Sequence, residues 1–384
     1  METSRNISEQ ISPNNTMSNR NTNKTKTLKE LETYLRERSL SDPQWSKAIS
    51  SQYFLIETAH ILGLTTTDSY QELEEEFFNT SCMFRKGVVQ PSPEKILVVP
   101  YENEKLIERM QQEDDSGKYY IARLRANKIN TKAKKDRIFY NYYYGLMIGI
   151  INRFCNNDDH LDNYREIRKI AIAELFNKKA IDEAGGWIHY RLPWITARIL
   201  ISLSSYTDED INQLIDAGAF SKTDINNIAD YKSFIVDTTD SLISRLHRRS
   251  LWESGAGDWV TSWEATGLCL EALFSLHLID NYKTDINNVI NNLLLSENKE
   301  QWLIIPSFKN ESDSNQTLSS VILASVIYRL VKNKVIDDND GTLVASIELF
   351  FGNISTELQK INEGKVQQYC TIPQIIYYIF IALI

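Results

Sequence analysis

The chain has 384 residues, 42% of them hydrophobic and 24% charged, the balance of a soluble globular protein with enough length for one large domain or two ordinary ones. Its 42 basic and 51 acidic residues leave a net charge of −9, which argues against sequence-independent binding to nucleic acid. Four widely spaced cysteines, Cys82, Cys155, Cys269 and Cys370, show no Cys-x-x-Cys or Cys/His metal spacing and read as reduced, mostly buried residues of a cytoplasmic protein.

Residues 1–27 are rich in Asn, Ser and Thr with hardly an apolar residue, which predicts a disordered tail. A helical segment over 28–84 follows. Residues 85–118 read as a connection, and the one β-like run inside it, Ile96 to Pro100, is too isolated to make a sheet. Residues 119–384 form the main domain. Eight prolines and fourteen glycines punctuate the chain, and apolar residues recur mostly at three- and four-residue spacing, so the expected fold class is all-α. The stretch from Cys370 to Ile384 carries no charge but falls short of the ~20 residues needed to cross a bilayer. A buried terminal helix is expected there, with no integral membrane span.

Within this pattern a degenerate repeat emerges. Small and aliphatic residues share helices around Thr58-Ala59, Thr196-Ala197, Ala265-Thr266, Thr317 to Ala324, and Pro373 to Leu383, with Tyr142 to Gly149 a further candidate. An aromatic turn such as Gly186-Trp187 or Asp258-Trp259 precedes several of them. The intervals are roughly one helical hairpin long. Helices apolar over most of their surface cannot all be amphipathic outer helices, so layered hairpins with inner and outer helices are expected. Closing such hairpins gives an α/α toroid. The pattern over about residues 140–384 resembles the terpenoid-cyclase and prenyltransferase toroids, where an aromatic turn precedes a Thr/Ala-containing inner helix.

Two further runs carry candidate chemistry. Asp158-Asp159-His160-Leu161-Asp162 offers three carboxylates within five residues, and on a helix Asp158 and Asp162 share one face. In the run from Asn292 to Glu300, the residues Asn292, Ser296 and Glu300 are spaced i, i+4 and i+8, again one face of a continuous helix. Oxygen-rich stripes of this kind suit Mg²⁺ bridging to substrate phosphates. Equally, the first is a good helix N-cap and the second an ordinary solvated face.

The first run is similar to the aspartate-rich motif of class I terpene synthases, and the second resembles their Asn/Ser/Glu metal motif. The resemblance implies an isoprenoid cyclase that ionises a prenyl diphosphate with Mg²⁺ and cyclises the resulting carbocation. By that resemblance Asp158, Asp159 and Asp162 hold metal on one side, and Asn292, Ser296 and Glu300 on the other. It also implies a diphosphate-sensing arginine among Arg245, Arg248 and Arg249. The aromatic walls for the cation would come from Trp187, Trp194, Trp259 and Trp263. The chain departs from the family at Leu293, where Asp is common, and no arginine follows Arg329 to form the family's C-terminal Arg-Tyr pair.

Other readings remain open on the residues themselves. Proton-initiated cyclisation needs a carboxylic acid kept protonated in an apolar site. The Asp-x-Asp-Asp tetrapeptide of class II cyclases does not occur, and Asp337-Asp338-Asn339-Asp340 has the wrong order in a polar loop. Glu253, Asp258 and Glu264 could act as glycosidase-type carboxylates, as in some α/α toroids. The five histidines, His60, His160, His189, His247 and His277, lack zinc spacing. A non-catalytic helical toroid binding a partner is the competing reading.

Overall fold

The computed structural model describes residues 16–37, 49–85, 145–155, 161–176, 187, 193–246, 251–252, 262–338, 341–360 and 371–384. The described residues are all-helical, with no strand. The helices, in chain order, are α1 (Thr16–Glu37), α2 (Ile49–Ile61), α3 (Asp68–Arg85), α4 (145–154), α5 (Leu161–Leu175), α6 (Pro193–Leu203), α7 (Asp208–Asp216) and α8 (Ile228–Ile243). They continue with α9 (Ser262–Ser275), α10 (Lys283–Leu294), α11 (Ser296–Trp302), α12 (Glu311–Lys332), α13 (Thr342–Gln359) and α14 (Ile372–Leu383).

Starts and stops follow local chemistry. Thr207 and Asp210 form a reciprocal capping box on α7, while Asn227 and Asn310 cap α8 and α12 with their side-chain oxygens. Before α13 the chain turns at Gly341, φ +65°, a conformation that glycine adopts without steric cost. There the carboxylate of Asp338 accepts the N–H groups of Leu343 (3.1 Å) and Val344 (2.9 Å). Asp338 in the polar Asp337–Asp340 run is therefore engaged in holding a helix start.

Six helices are linked in series by side-by-side packing. α6 lies on α9, α9 on α12, α12 on α14, and α14 on α2. α4 lies close to both α2 and α6: a Cβ placed on Gly149 would stand 3.1 Å from the Tyr53 ring and 3.2 Å from Ser202 Oγ. Where two contacts fix the sense, neighbours run parallel. Residue numbers rise together from α4 to α2 (Gly149 with Tyr53, Arg153 with Glu57), from α4 to α6 (Gly145 with Ile199, Gly149 with Ser202) and from α9 to α12 (Glu264 with Ser319, Gly267 with Ile322). Ser314 with Thr371 and Ser325 with Tyr378 repeat the sense. Parallel helices cannot be joined by a short turn, so the chain must run back between them. α3 packs on α2 and α5, α8 on α6, and α13 on α12 and α1, as return helices of a second layer. The segments expected as inner helices all fall in the parallel series. α14, which carries no charged residue, is buried over nearly its whole length.

Glycine permits the closest approach. A Cβ on Gly267 would meet Ile322 Cγ2 at 2.9 Å and the Leu323 backbone N at 3.0 Å. Backbone cannot yield as a side chain can, so Gly267→Ala should destabilise by about 1–3 kcal/mol despite alanine's better helix propensity. A urea melt of the variant checks this.

One bonding pattern recurs between the layers. The Trp187 indole N–H donates to the Leu175 carbonyl at the end of α5 (2.8 Å), and the Trp187 backbone N–H donates to Thr196 Oγ1 of α6 (3.1 Å). Trp252 does the same with Leu242 of α8 (2.8 Å) and Thr266 of α9 (3.1 Å). A third copy is divided between two residues: Trp302 donates to Leu293 O (2.9 Å), and Ser307 N donates to Thr317 Oγ1 (3.2 Å). All three tryptophans are fully buried. Each seals the end of a return helix and fixes the start of the next parallel helix. Ahead of α9 this place is held by Trp252; Asp258 and Trp259, expected as an aromatic turn there, lie outside the described residues.

The N-terminal segment differs from expectation. α1 begins at Thr16, inside the segment expected as a disordered tail, and Thr27, Leu31 and Leu35 are buried along one stripe. Four-residue spacing of three positions suffices to pack a helix whose overall composition is polar. α1 lies on α13 and α14, and Glu30 accepts the Ser355 hydroxyl at 2.8 Å. Residues of α1 to α3 belong to the same hydrophobic core as the later helices.

Candidate functional site

A network of polar and aromatic side chains links the parallel helices. From α2, Glu57 accepts two bonds from Arg153 of α4 (3.1 and 2.5 Å). Burial raises the Glu57 carboxyl, and the Arg153 charge and bonds oppose that push. Tyr53, one turn before Glu57, is buried, and burial together with the Glu57 charge raises its phenol, with Arg198 and the Ser202 hydroxyl of α6 opposing that push. Arg198, also on α6, is 1% exposed, and its guanidinium lies 5.3 Å from the Phe54 ring centroid and 5.9 Å from that of Tyr378. Tyr377 of α14 packs against Tyr53, Phe54 and Tyr378. On α9, Glu271 is buried and ion-paired to Arg329 of α12, whose guanidinium lies 5.0 Å from the Phe274 ring.

Glu264 stands apart in this set. It sits in the first turn of α9 and accepts the Ser319 hydroxyl of α12 at 3.2 Å. Burial pushes its carboxyl up to about 7, against the Ser319 hydrogen bond and the Arg198 charge. A group of this kind is partly protonated at neutral pH and can give or take a proton there. The folded protein holds the proton more tightly than the unfolded chain, so Glu264 contributes stability that is fully present below about 4.5 and is lost as pH rises to about 7. Glu264→Gln should flatten that part of the stability–pH curve. Urea midpoints of both proteins at several pH values between 4.5 and 7 measure it.

Of the residues singled out for diphosphate chemistry, Asp158, Asp159, Arg248, Arg249 and Trp259 lie outside the described residues. Asp162 is in the first turn of α5. Asn292, Ser296 and Glu300 do not form one stripe. α10 ends at Leu294, Leu295 takes ψ 136°, and a separate α11 starts at Ser296. The Trp302 indole takes the Leu293 carbonyl that a continuous helix would use for itself, and Asn298 donates to both Asn292 O (2.7 Å) and Asn292 Oδ1 (3.1 Å). Ser296 and Glu300 are exposed. This side does not fit an Mg²⁺ held by a single helix face. Among the described residues no three His, Cys, Asp or Glu side chains gather as metal ligands.

The other expected residues have mixed places. Trp187 is a buried interlayer bond donor, flanked by Phe176 and Phe234, and not an open aromatic wall. Trp194 is buried in α6, and Trp263 is half-buried in α9 against the core. Arg245 follows α8, and its charge lies near buried Cys269. Glu264 joins the network, while Glu253 and Asp258 lie outside the described residues. His60 bonds Tyr70 at 2.9 Å, and burial with the Arg153 charge lowers it to about 4, a packed neutral side chain. Glu57, Arg153, Arg198, Tyr53 and Tyr377 are the members that spacing alone did not select. A lone arginine inside the apolar run from Pro193 to Leu203 was the available signal, because an unmatched charge is costly in such a helix.

No helix among the described residues is long and apolar enough to cross a membrane. No family model matches this chain, and no curated protein or solved structure matches it either.

Proposed function

We propose that the six helices of this series all run parallel and close into an α/α toroid of the terpenoid-cyclase and prenyltransferase kind, and that its interior takes an apolar polyprene on which Glu264 acts as the acid. The contacts in series from α2 and α4 through α6, α9, α12 and α14 back to α2 support the ring. The observation that carries the chemistry is the place of Glu264, half-buried and bonded to Ser319 of α12, with its carboxyl raised by burial, in a helix series that also presents Phe54, Tyr53, Tyr377 and Tyr378.

The reaction would begin with transfer of the Glu264 proton to an alkene. The O–H bond breaks, a C–H bond forms, and positive charge appears on the more substituted carbon. Aromatic faces stabilise such a cation, and Phe54 and Tyr378 already face the guanidinium of Arg198. Attack by a second alkene closes a ring, loss of a proton to water ends the sequence, and solvent reprotonates the Glu264 carboxylate. Ionisation of a prenyl diphosphate with Mg²⁺ has weaker support, because Asn292, Ser296 and Glu300 are divided between two helices.

The test is incubation with geranyl, farnesyl and geranylgeranyl diphosphate and the matching alcohols, in EDTA and in Mg²⁺. Cyclic product in EDTA with the diphosphate intact is expected, falling on the order of 10²–10⁴-fold in Glu264→Gln. Pyrophosphate release only in Mg²⁺, abolished by Asp158→Ala, would replace this reading with the metal-dependent one. Saturable binding of the alcohols with no turnover would leave a non-catalytic binding toroid.

A further inference from the structure

The geometry points to Ser319 as the positioning residue that aims the Glu264 proton. This inference rests on the reading of Glu264 as the acid. Ser319 lies on α12, 2% exposed, and its Oγ stands 2.9 Å from the Asn315 carbonyl oxygen and 3.2 Å from Glu264 Oε2. A hydroxyl has one proton and two acceptor lone pairs. Both oxygens near it are acceptors while Glu264 is ionised, so only one of them can receive that proton. The carboxylate is the stronger acceptor, since charge-assisted bonds are shorter and stronger than neutral ones.

When Glu264 takes up a proton the demand reverses. The Ser319 proton turns to the Asn315 carbonyl, and an Oγ lone pair faces the new Glu264 O–H. Ser319 thus has an arrangement for each protonation state without moving its backbone, and in each it holds the same carboxyl oxygen. The charged group facing this pair from α6 is Arg198, whose guanidinium is set between Phe54 and Tyr378. Arg198 favours the ionised carboxyl at longer range, whereas Ser319 fixes the direction of one oxygen.

The experiment follows the Glu264 carboxyl by isotope-edited infrared titration in the full chain, for the wild type, Ser319→Ala and Ser319→Thr. Loss of the donor to the ionised form should move the Glu264 midpoint upward by roughly one pH unit in Ser319→Ala. Ser319→Thr, which keeps the hydroxyl, should restore it. The pH–rate profile should shift in the same order, with thermal midpoints close to wild type because alanine is a good helix former. An unmoved midpoint in Ser319→Ala overturns the inference, as does a threonine variant that behaves like alanine. A midpoint that responds as expected in a protein without turnover upholds the Ser319–Glu264 coupling and removes the enzymatic reading alone.

Discussion

Arg168→Met should lower the stability of the fold by about 3–5 kcal/mol, the usual loss when one partner of a buried ion pair is removed. Arg168 of α5 is 3% exposed and reaches two other helices. Its Nη1 donates to Asn152 Oδ1 of α4 (2.7 Å) and Asp210 Oδ1 of α7 (3.1 Å), and its Nη2 donates to Gln213 (3.1 Å). Burial pushes the Asp210 carboxyl up, yet bonds from Thr207 and Asn152 and the Arg168 charge hold it below its ordinary value. Without Arg168 this carboxylate keeps the cost of burial and loses its cation. Arg168→Met/Asp210→Leu should therefore be more stable than Arg168→Met alone, because removing both charges leaves none uncompensated. Urea denaturation of the wild type, the two single variants and the double variant measures the coupling.

The second large effect belongs to the interlayer tryptophans. Trp252→Ala empties a fully buried site and leaves the Leu242 carbonyl without its indole donor. Truncation of a buried aromatic costs about 3–5 kcal/mol. Thr266→Val keeps the volume but removes the oxygen that accepts the Trp252 backbone N–H, for a cost of about 1–3 kcal/mol. If the pattern acts as a unit, the two losses should fall short of additive in the double variant. Chemical denaturation of the three proteins measures it. Full additivity would mean that the indole and the hydroxyl act independently.

These two devices lie at different distances from what spacing reveals. The parallel helices were legible because each is apolar on most sides, and such helices have to be inside. The tryptophan pattern was half legible. The aromatic turn before a threonine helix is visible at Trp187 and Thr196, but Thr266 bonds Trp252, fourteen residues away, a residue that spacing did not single out. Loop length between layers is not periodic, so counting residues cannot locate it.

The stripe of Asn292, Ser296 and Glu300 shows the opposite failure. Its i, i+4, i+8 spacing assumes that the helix runs through Leu295. The chain contains no proline or glycine there to signal a stop. The stop comes from further on, where Trp302 withdraws the Leu293 carbonyl nine residues before it. Tertiary competition for a backbone acceptor is invisible to local pattern. The Arg168 network was likewise unread, since Asn152, Arg168 and Asp210 come from three helices and share no spacing. Glu264 was visible as a carboxylate near tryptophans, but its bond to Ser319 of another helix and the upward push on its carboxyl arise only from packing.

The most direct measurement is the isotopic content of product formed in D₂O with EDTA present, using geranylgeraniol and its diphosphate as substrates. Transfer from Glu264 predicts one deuterium at the carbon that receives the initiating proton, and no labelled product from Glu264→Gln. Product without that deuterium, or equal labelling by Glu264→Gln, would contradict Glu264 as the source of the proton.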